Sequence, residues 1–192
     1  MKGSIRMERN YYYDSGDTMK SASIPFSLYK SLQGRYFSGL SRIEFIPGNF
    51  GWAGLVNPKN SDINIHINFF SVENVSGIPL SFQVWLNPIL FSGDAKYSDM
   101  LSPTNTAYRP IPTSRIQFLY SEDAKEEPEG GIMIYGRNVA PEAIIELQKD
   151  GRYVCPPGGS FVINCLANTS APEGSNDKVK VKIAFEWWED RL

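Results

Sequence analysis

The chain is poor in the residues that build reactive centres: it has one histidine, two cysteines and no apolar run approaching the roughly 18 to 20 residues a membrane-spanning helix needs. Each shortage excludes something. A lone imidazole, His66, does not furnish the zinc or nucleophile-triad constellations that use several His, or His with Cys at fixed spacing. Neither Cys155 nor Cys165 has such a neighbour, so no metal, cofactor or catalytic residue is expected and His66 reads as a sheet-face side chain. The first twenty residues carry basic groups without the continuous apolar core of a secretory signal, which implies a product made in the cytoplasm and no membrane partner. A basic cluster is also missing. With 19 Lys+Arg against 21 Asp+Glu the formal charge is -2, so nothing offers to neutralise a run of phosphates and nucleic acid is not an expected partner.

Helical periodicity is the next absence; period 2 is what the chain has instead. From Lys178 to Trp188, Val179, Val181, Ile183, Phe185 and Trp187 fall on one face and Lys178, Lys180, Lys182 and Glu186 on the other, the pattern of a half-buried strand. Similar segments are read at Tyr36 to Leu40, Arg42 to Ile46, Gly51 to Val56, Asp62 to Val72, Leu80 to Leu86, Arg115 to Tyr120, Ile132 to Tyr135, Ala143 to Leu147, Arg152 to Val154 and Ser160 to Leu166. Ile63, Ile65, Ile67 and Phe69 are expected to face inward, and Asn74-Val75-Ser76-Gly77 to turn a hairpin into Leu80 to Leu86. Ile24 to Gln33 is either one short helical turn or an extended lead-in. The proline-rich loop Asn87 to Thr113 is long enough to bind something or to cover a sheet edge. Many short strands with no crossover helices imply an all-β, antiparallel two-sheet sandwich of jelly-roll or Greek-key type, with a closed barrel as the second choice, spanning residues 24–192 behind an N-terminal arm of residues 1–23.

Chemistry is harder to find. Glu122, Asp123, Glu126, Glu127 and Glu129 read as a solvated acidic loop, since Lys125 and Pro128 interrupt them and no calcium-loop template fits. Glu186, Glu189 and Asp190 raise the question of a hydrolytic carboxylate pair, but Glu189 and Asp190 are placed past the end of their strand. Trp85 and Trp188 lie opposite their strands' aliphatic rows; if exposed, they mark a binding or assembly surface, with a glycan as the partner that flat rings suit. Trp52 and Trp187 read as core. Cys155 and Cys165 flank the turn Pro156-Pro157-Gly158-Gly159; a tight hairpin there puts them on different faces, leaving two buried thiols or an intermolecular cross-link.

The arm has neither amphipathic period, yet it carries Tyr11, Tyr12 and Tyr13 followed by Asp14-Ser15-Gly16-Asp17. Such a segment cannot fold alone: it is either a plain disordered tail or expression remnant, or a connector whose rings are buried in a groove or against a sheet edge of the same or a neighbouring subunit.

Trp52-Ala53-Gly54-Leu55-Val56-Asn57-Pro58, Gln83-Val84-Trp85-Leu86-Asn87-Pro88, Ser102-Pro103-Thr104-Asn105-Thr106, Pro156-Pro157-Gly158-Gly159-Ser160-Phe161 and Phe185-Glu186-Trp187-Trp188-Glu189 together resemble an uncharacterised family of small proteins from spore-forming Gram-positive bacteria. The resemblance spans residues 25 to 190, leaves the tyrosine arm outside, and implies no catalytic residue. It implies a context: coats and appendages of spores, built from jelly-roll subunits whose flexible N-terminal connectors reach the next subunit. A self-assembling, non-enzymatic homo-oligomer or filament at the spore surface is therefore the expected role, with a carbohydrate-binding module as the alternative.

Overall fold

The computed structural model describes residues 23–89, 95–168 and 178–192. A short helix, α1 (Phe26–Leu32), leads into β1 (Tyr36–Phe45), β2 (Phe50–Val56), β3 (Ile63–Asn74) and β4 (Leu80–Leu86). There follow β5 (Lys96–Tyr97), β6 (Leu101–Pro103), β7 (Gln117–Ala124), β8 (Ile132–Val139), β9 (Ile144–Cys155), β10 (Ser160–Ala167) and β11 (Val179–Arg191). The strands form two antiparallel sheets, one ordered β6-β1-β11-β3-β9 and the other β5-β7-β2-β10-β4-β8. Early strands meet late ones in nested order, β1 with β11, β2 with β10, β3 with β9 and β4 with β8. That nesting is a jelly roll. Between β4 and β8 the chain makes an excursion that places β6 beside β1, β7 beside β2 and β5 beside β7. The long loop read from the sequence thus covers sheet edges.

Alternation explains the core. Val179, Val181, Ile183, Phe185 and Trp187 are all buried, and Phe185 meets Phe118 and Phe161 of the opposite sheet at ring-centroid distances of 5.7 and 6.2 Å, both edge to face. Such pairs add about 0.5–1.5 kcal/mol to the burial of their area. Opposite them β1 is kept small: a Cβ on Gly39 would lie 2.7 Å from the Phe118 ring. Ser41, the next inward position, is buried. These two small residues interrupt the apolar row, which is why the sequence reads as two strands where β1 is one.

Other expectations are corrected by long-range pairing. β3 and β4 belong to different sheets, so the segment after Asn74 is an arch and not a hairpin. Buried Asn74 shapes it, donating to the carbonyl of Ile78 at 2.8 Å and accepting from the amide of Ser76 at 3.0 Å. β9 and β10 are likewise in different sheets, so Pro156 to Gly159 closes no hairpin. Within β3 an irregularity at Asn68 shifts the alternation, and Phe70, not Phe69, is buried after Ile67. Ala143 to Leu147 and Arg152 to Val154 are parts of one strand, β9, whose residues Lys149 to Arg152 bulge opposite Asn68. Ile24 to Gln33 resolves as α1, and β7 extends through Glu122 and Asp123.

Candidate functional site

The two flanks of the sandwich end differently. On one, the β4–β8 excursion leaves only the short stubs β5 and β6 as outermost strands. On the other the outermost strands are β8 and β9, 8 and 12 residues long, and no described strand pairs with either outer edge. Ile132 and Met133 of β8 and Ile144 and Val154 of β9 are 47–68% exposed. Unpaired N–H and C=O groups in a row beside exposed aliphatics are a template for another strand.

Between these edges three aromatic rings gather around a lysine. Lys149 Nζ sits 5.3 Å from the ring centroid of Tyr135, 5.6 Å from Phe70 and 5.8 Å from Tyr153, within cation–π range. The Arg137 guanidinium lies 5.5 Å from the Tyr135 ring. Burial, and then the nearby Arg152 and Arg137 charges, hold the Lys149 ammonium below the usual lysine range. The Tyr135 hydroxyl is buried and has no hydrogen-bond partner among the described residues. The β9 bulge creates this arrangement: Asp150 and Gly151 take φ of 53° and 72°, the left-handed region.

Gly151 also meets the tryptophan that was expected to be exposed. A Cβ there would lie 1.9 Å from the Trp188 ring, so this backbone packs flat on the indole. Phe26 of α1 contacts the other side edge to face at 5.2 Å, and His66 stacks beside it at 5.1 Å with planes 8° apart. Trp188 is buried because α1 lies over it. Trp85 is half-buried on the outer face of the other sheet, its indole N–H donating to Gln83 at 2.9 Å. The two rings are on different sheets and form no shared platform. Trp52 is buried as expected, in a second small cluster with Val162 and Ala124 against which Trp85 packs, away from the main core.

The carboxylates near Trp188 are engaged with their own chain. β11 runs to Arg191, so Glu189 and Asp190 are within the strand, correcting their expected place beyond it. Asp190 accepts from buried Lys30 at 2.5 Å and lies 3.8 Å from His66. Burial lowers His66 below its ordinary value, with the Asp190 charge opposing. Glu186 accepts from the Tyr36 hydroxyl at 2.7 Å, and burial followed by this contact raises the tyrosine. Glu189 is buried on the core side; burial raises its carboxyl, while Ser114 at 2.5 Å and the Trp187 indole at 3.3 Å donate to it. These three acids serve as anchors for α1, β1 and the segment before β7.

Cys155 and Cys165 are buried and unbridged. Burial raises both thiols, Cys155 to about 12, so neither is placed for the cross-link considered above. Of the acidic stretch, Glu122 pairs with Lys96 at 2.5 Å and Asp123 accepts from the Ile46 amide at 3.0 Å. Among the described residues no group of three or more His, Cys, Asp or Glu could hold a metal. Tyr11, Tyr12 and Tyr13 lie outside the described residues. Sequence reasoning missed Tyr135, Arg137, Lys149 and the flank they mark. The excursion was the available signal, since a segment that covers edges on one side leaves the others uncovered.

Residues 9–192 match a family of unknown function, DUF6143. The chain belongs to that family. The match starts sixteen residues before the motif resemblance does, and so takes in Tyr11, Tyr12 and Tyr13, which the resemblance had left outside. No curated protein and no solved structure matches the chain.

Proposed function

We propose that this DUF6143 protein is a non-enzymatic structural subunit that self-associates into a filament or surface layer through the β8/β9 flank and the N-terminal arm. The observation that carries this reading is the asymmetry of the sandwich: one flank is covered by the chain's own excursion, and the other presents two long strand edges with exposed Ile132, Met133, Ile144 and Val154. A strand supplied by a neighbour satisfies such an edge along its length. Joining unlike surfaces of successive copies yields an open filament unless the rotation closes a ring. Inclusion of the tyrosine arm within the family match, and the engagement of Glu186, Glu189 and Asp190 in internal contacts, support the same reading. Coat or appendage of a spore, assembled from subunits made in the cytoplasm, is the setting that the motif resemblance adds to it.

Electron microscopy of the purified full chain tests the proposal, beside a variant lacking residues 1–20. Ordered polymers from the full chain and dispersed, folded particles from the truncated one are expected. Dispersed particles from both would refute self-assembly. The carbohydrate-binding alternative predicts a monomer whose glycan-array signal disappears in Trp85→Ala.

A further inference from the structure

This inference rests on the self-association reading and names what occupies the open flank. The cluster between β8 and β9 combines the partly exposed rings of Tyr135 and Tyr153 and the buried ring of Phe70 with Lys149 and Arg137. Lys149 and Arg137 share the Tyr135 ring, and neither has a carboxylate within ion-pair distance among the described residues; only Arg152 does, to Asp150 at 3.3 Å. A partly buried ammonium among rings and like charges gains from an approaching anion, because desolvation has already weakened its contact with water. The Tyr135 hydroxyl beside it also lacks a partner among the described residues. The surface therefore asks for a segment that is extended, aromatic and acidic.

The chain contains such a segment. Tyr11-Tyr12-Tyr13-Asp14-Ser15-Gly16-Asp17 sets three rings before two carboxylates, within the region the family match covers. In an extended conformation Tyr11 and Tyr13 share one face while Tyr12 and Asp14 share the other. Asp14 is nine residues from Ser23, where the described chain begins at the approach to α1, a tether of about 30 Å when extended. That is enough to leave one body and reach another. We propose that residues 11–15 of a second copy add as a strand to the β8 edge, with Tyr12 and Asp14 on the face of Tyr135, Tyr153 and Arg137 and with Tyr11 and Tyr13 on the face of Met133; Asp14 neutralises Arg137, and a turn at Gly16 brings Asp17 to Lys149. Backbone pairing supplies length-dependent affinity; the charge match fixes register and direction.

A charge swap tests this without disturbing the core. Sedimentation velocity over a range of concentrations compares the full chain with Arg137→Glu, with Asp14→Lys, and with both changes together. Arg137 is exposed, and circular dichroism verifies that each variant is folded. Each one-sided reversal is expected to weaken association by about tenfold or more, and the combined variant to recover most of it. Wild-type association in either one-sided variant, or no recovery in the combined one, overturns the proposal. If those charge variants associate normally while Ile132→Lys/Met133→Lys does not, the edge joins copies without the arm; this inference fails and the self-association reading survives. A full chain that is monomeric at every concentration sinks both.

Discussion

The flank formed by β1 and β2 and the flank formed by β8 and β9 face the same difficulty with opposite outcomes. Any open sheet ends in a strand with half its backbone groups unpaired. At β1 and β2 the chain answers from within: residues between β4 and β8 leave the nested order, lay β6 and β7 along the two edges, and end on stubs of three and two residues. At β8 and β9 no described strand does this, and a kinked strand with a lysine among aromatic rings occupies the place. Among the described residues, edge protection is local to one side. Exposure on the other side is a property of the topology, not of any single residue.

Substitutions in the two flanks are expected to differ in cost. The largest effect is expected on the closed flank, where Phe118 of β7 packs against Phe185 and Trp187; Phe118→Ala should cost about 3–5 kcal/mol in denaturant unfolding. At the open flank, Met133→Lys should stay within about 0.5 kcal/mol of wild type for the isolated subunit, because the side chain is exposed. Equal losses at the two positions would erase the distinction. Gly151→Ala comes next: the added methyl collides with Trp188 and the residue keeps a left-handed φ, so a loss of about 1–3 kcal/mol is expected, with a shift in tryptophan fluorescence. The buried thiols should be inert to an aqueous thiol reagent in the folded protein and both titrate in denaturant, and a fast-reacting thiol in native protein would contradict their placement.

The smallest effect is a pH dependence at α1. Because burial lowers the folded-state value of His66, the neutral ring is favoured by folding. Its contribution is complete above the ordinary histidine value of about 6.5 and is lost as pH falls through the lower folded value. Thermal stability should therefore decline on mild acidification, and His66→Phe should flatten that decline. An unchanged slope in the variant would show that Asp190 cancels the burial effect.

The strand content was legible because Val179 to Phe185 and Leu80 to Val84 alternate without interruption, and a period of two admits one reading. Pairing partners were not. β1 finds β11 across nearly the whole chain, and no local pattern distinguishes the arch after Asn74 from a hairpin turn. Phe69 was misplaced for a related reason: Asn68 adds a residue that only the neighbouring strands reveal. Trp188 obeyed its alternation and pointed outward from its sheet, but α1 covered it, a tertiary contact with no sequence signature of its own. The site was the least legible part. Ile132 to Val139 reads like any other strand, and being outermost depends on where every other strand has gone.

Amide hydrogen exchange of the full chain at low and high concentration reads both flanks in one experiment. Concentration should slow exchange in β8, and in β9 beside it, while residues 96–103 of the closed flank exchange at one rate throughout. Identical exchange in β8 and β9 at every concentration, or protection gained at residues 96–103 instead, would contradict self-association through the β8/β9 flank.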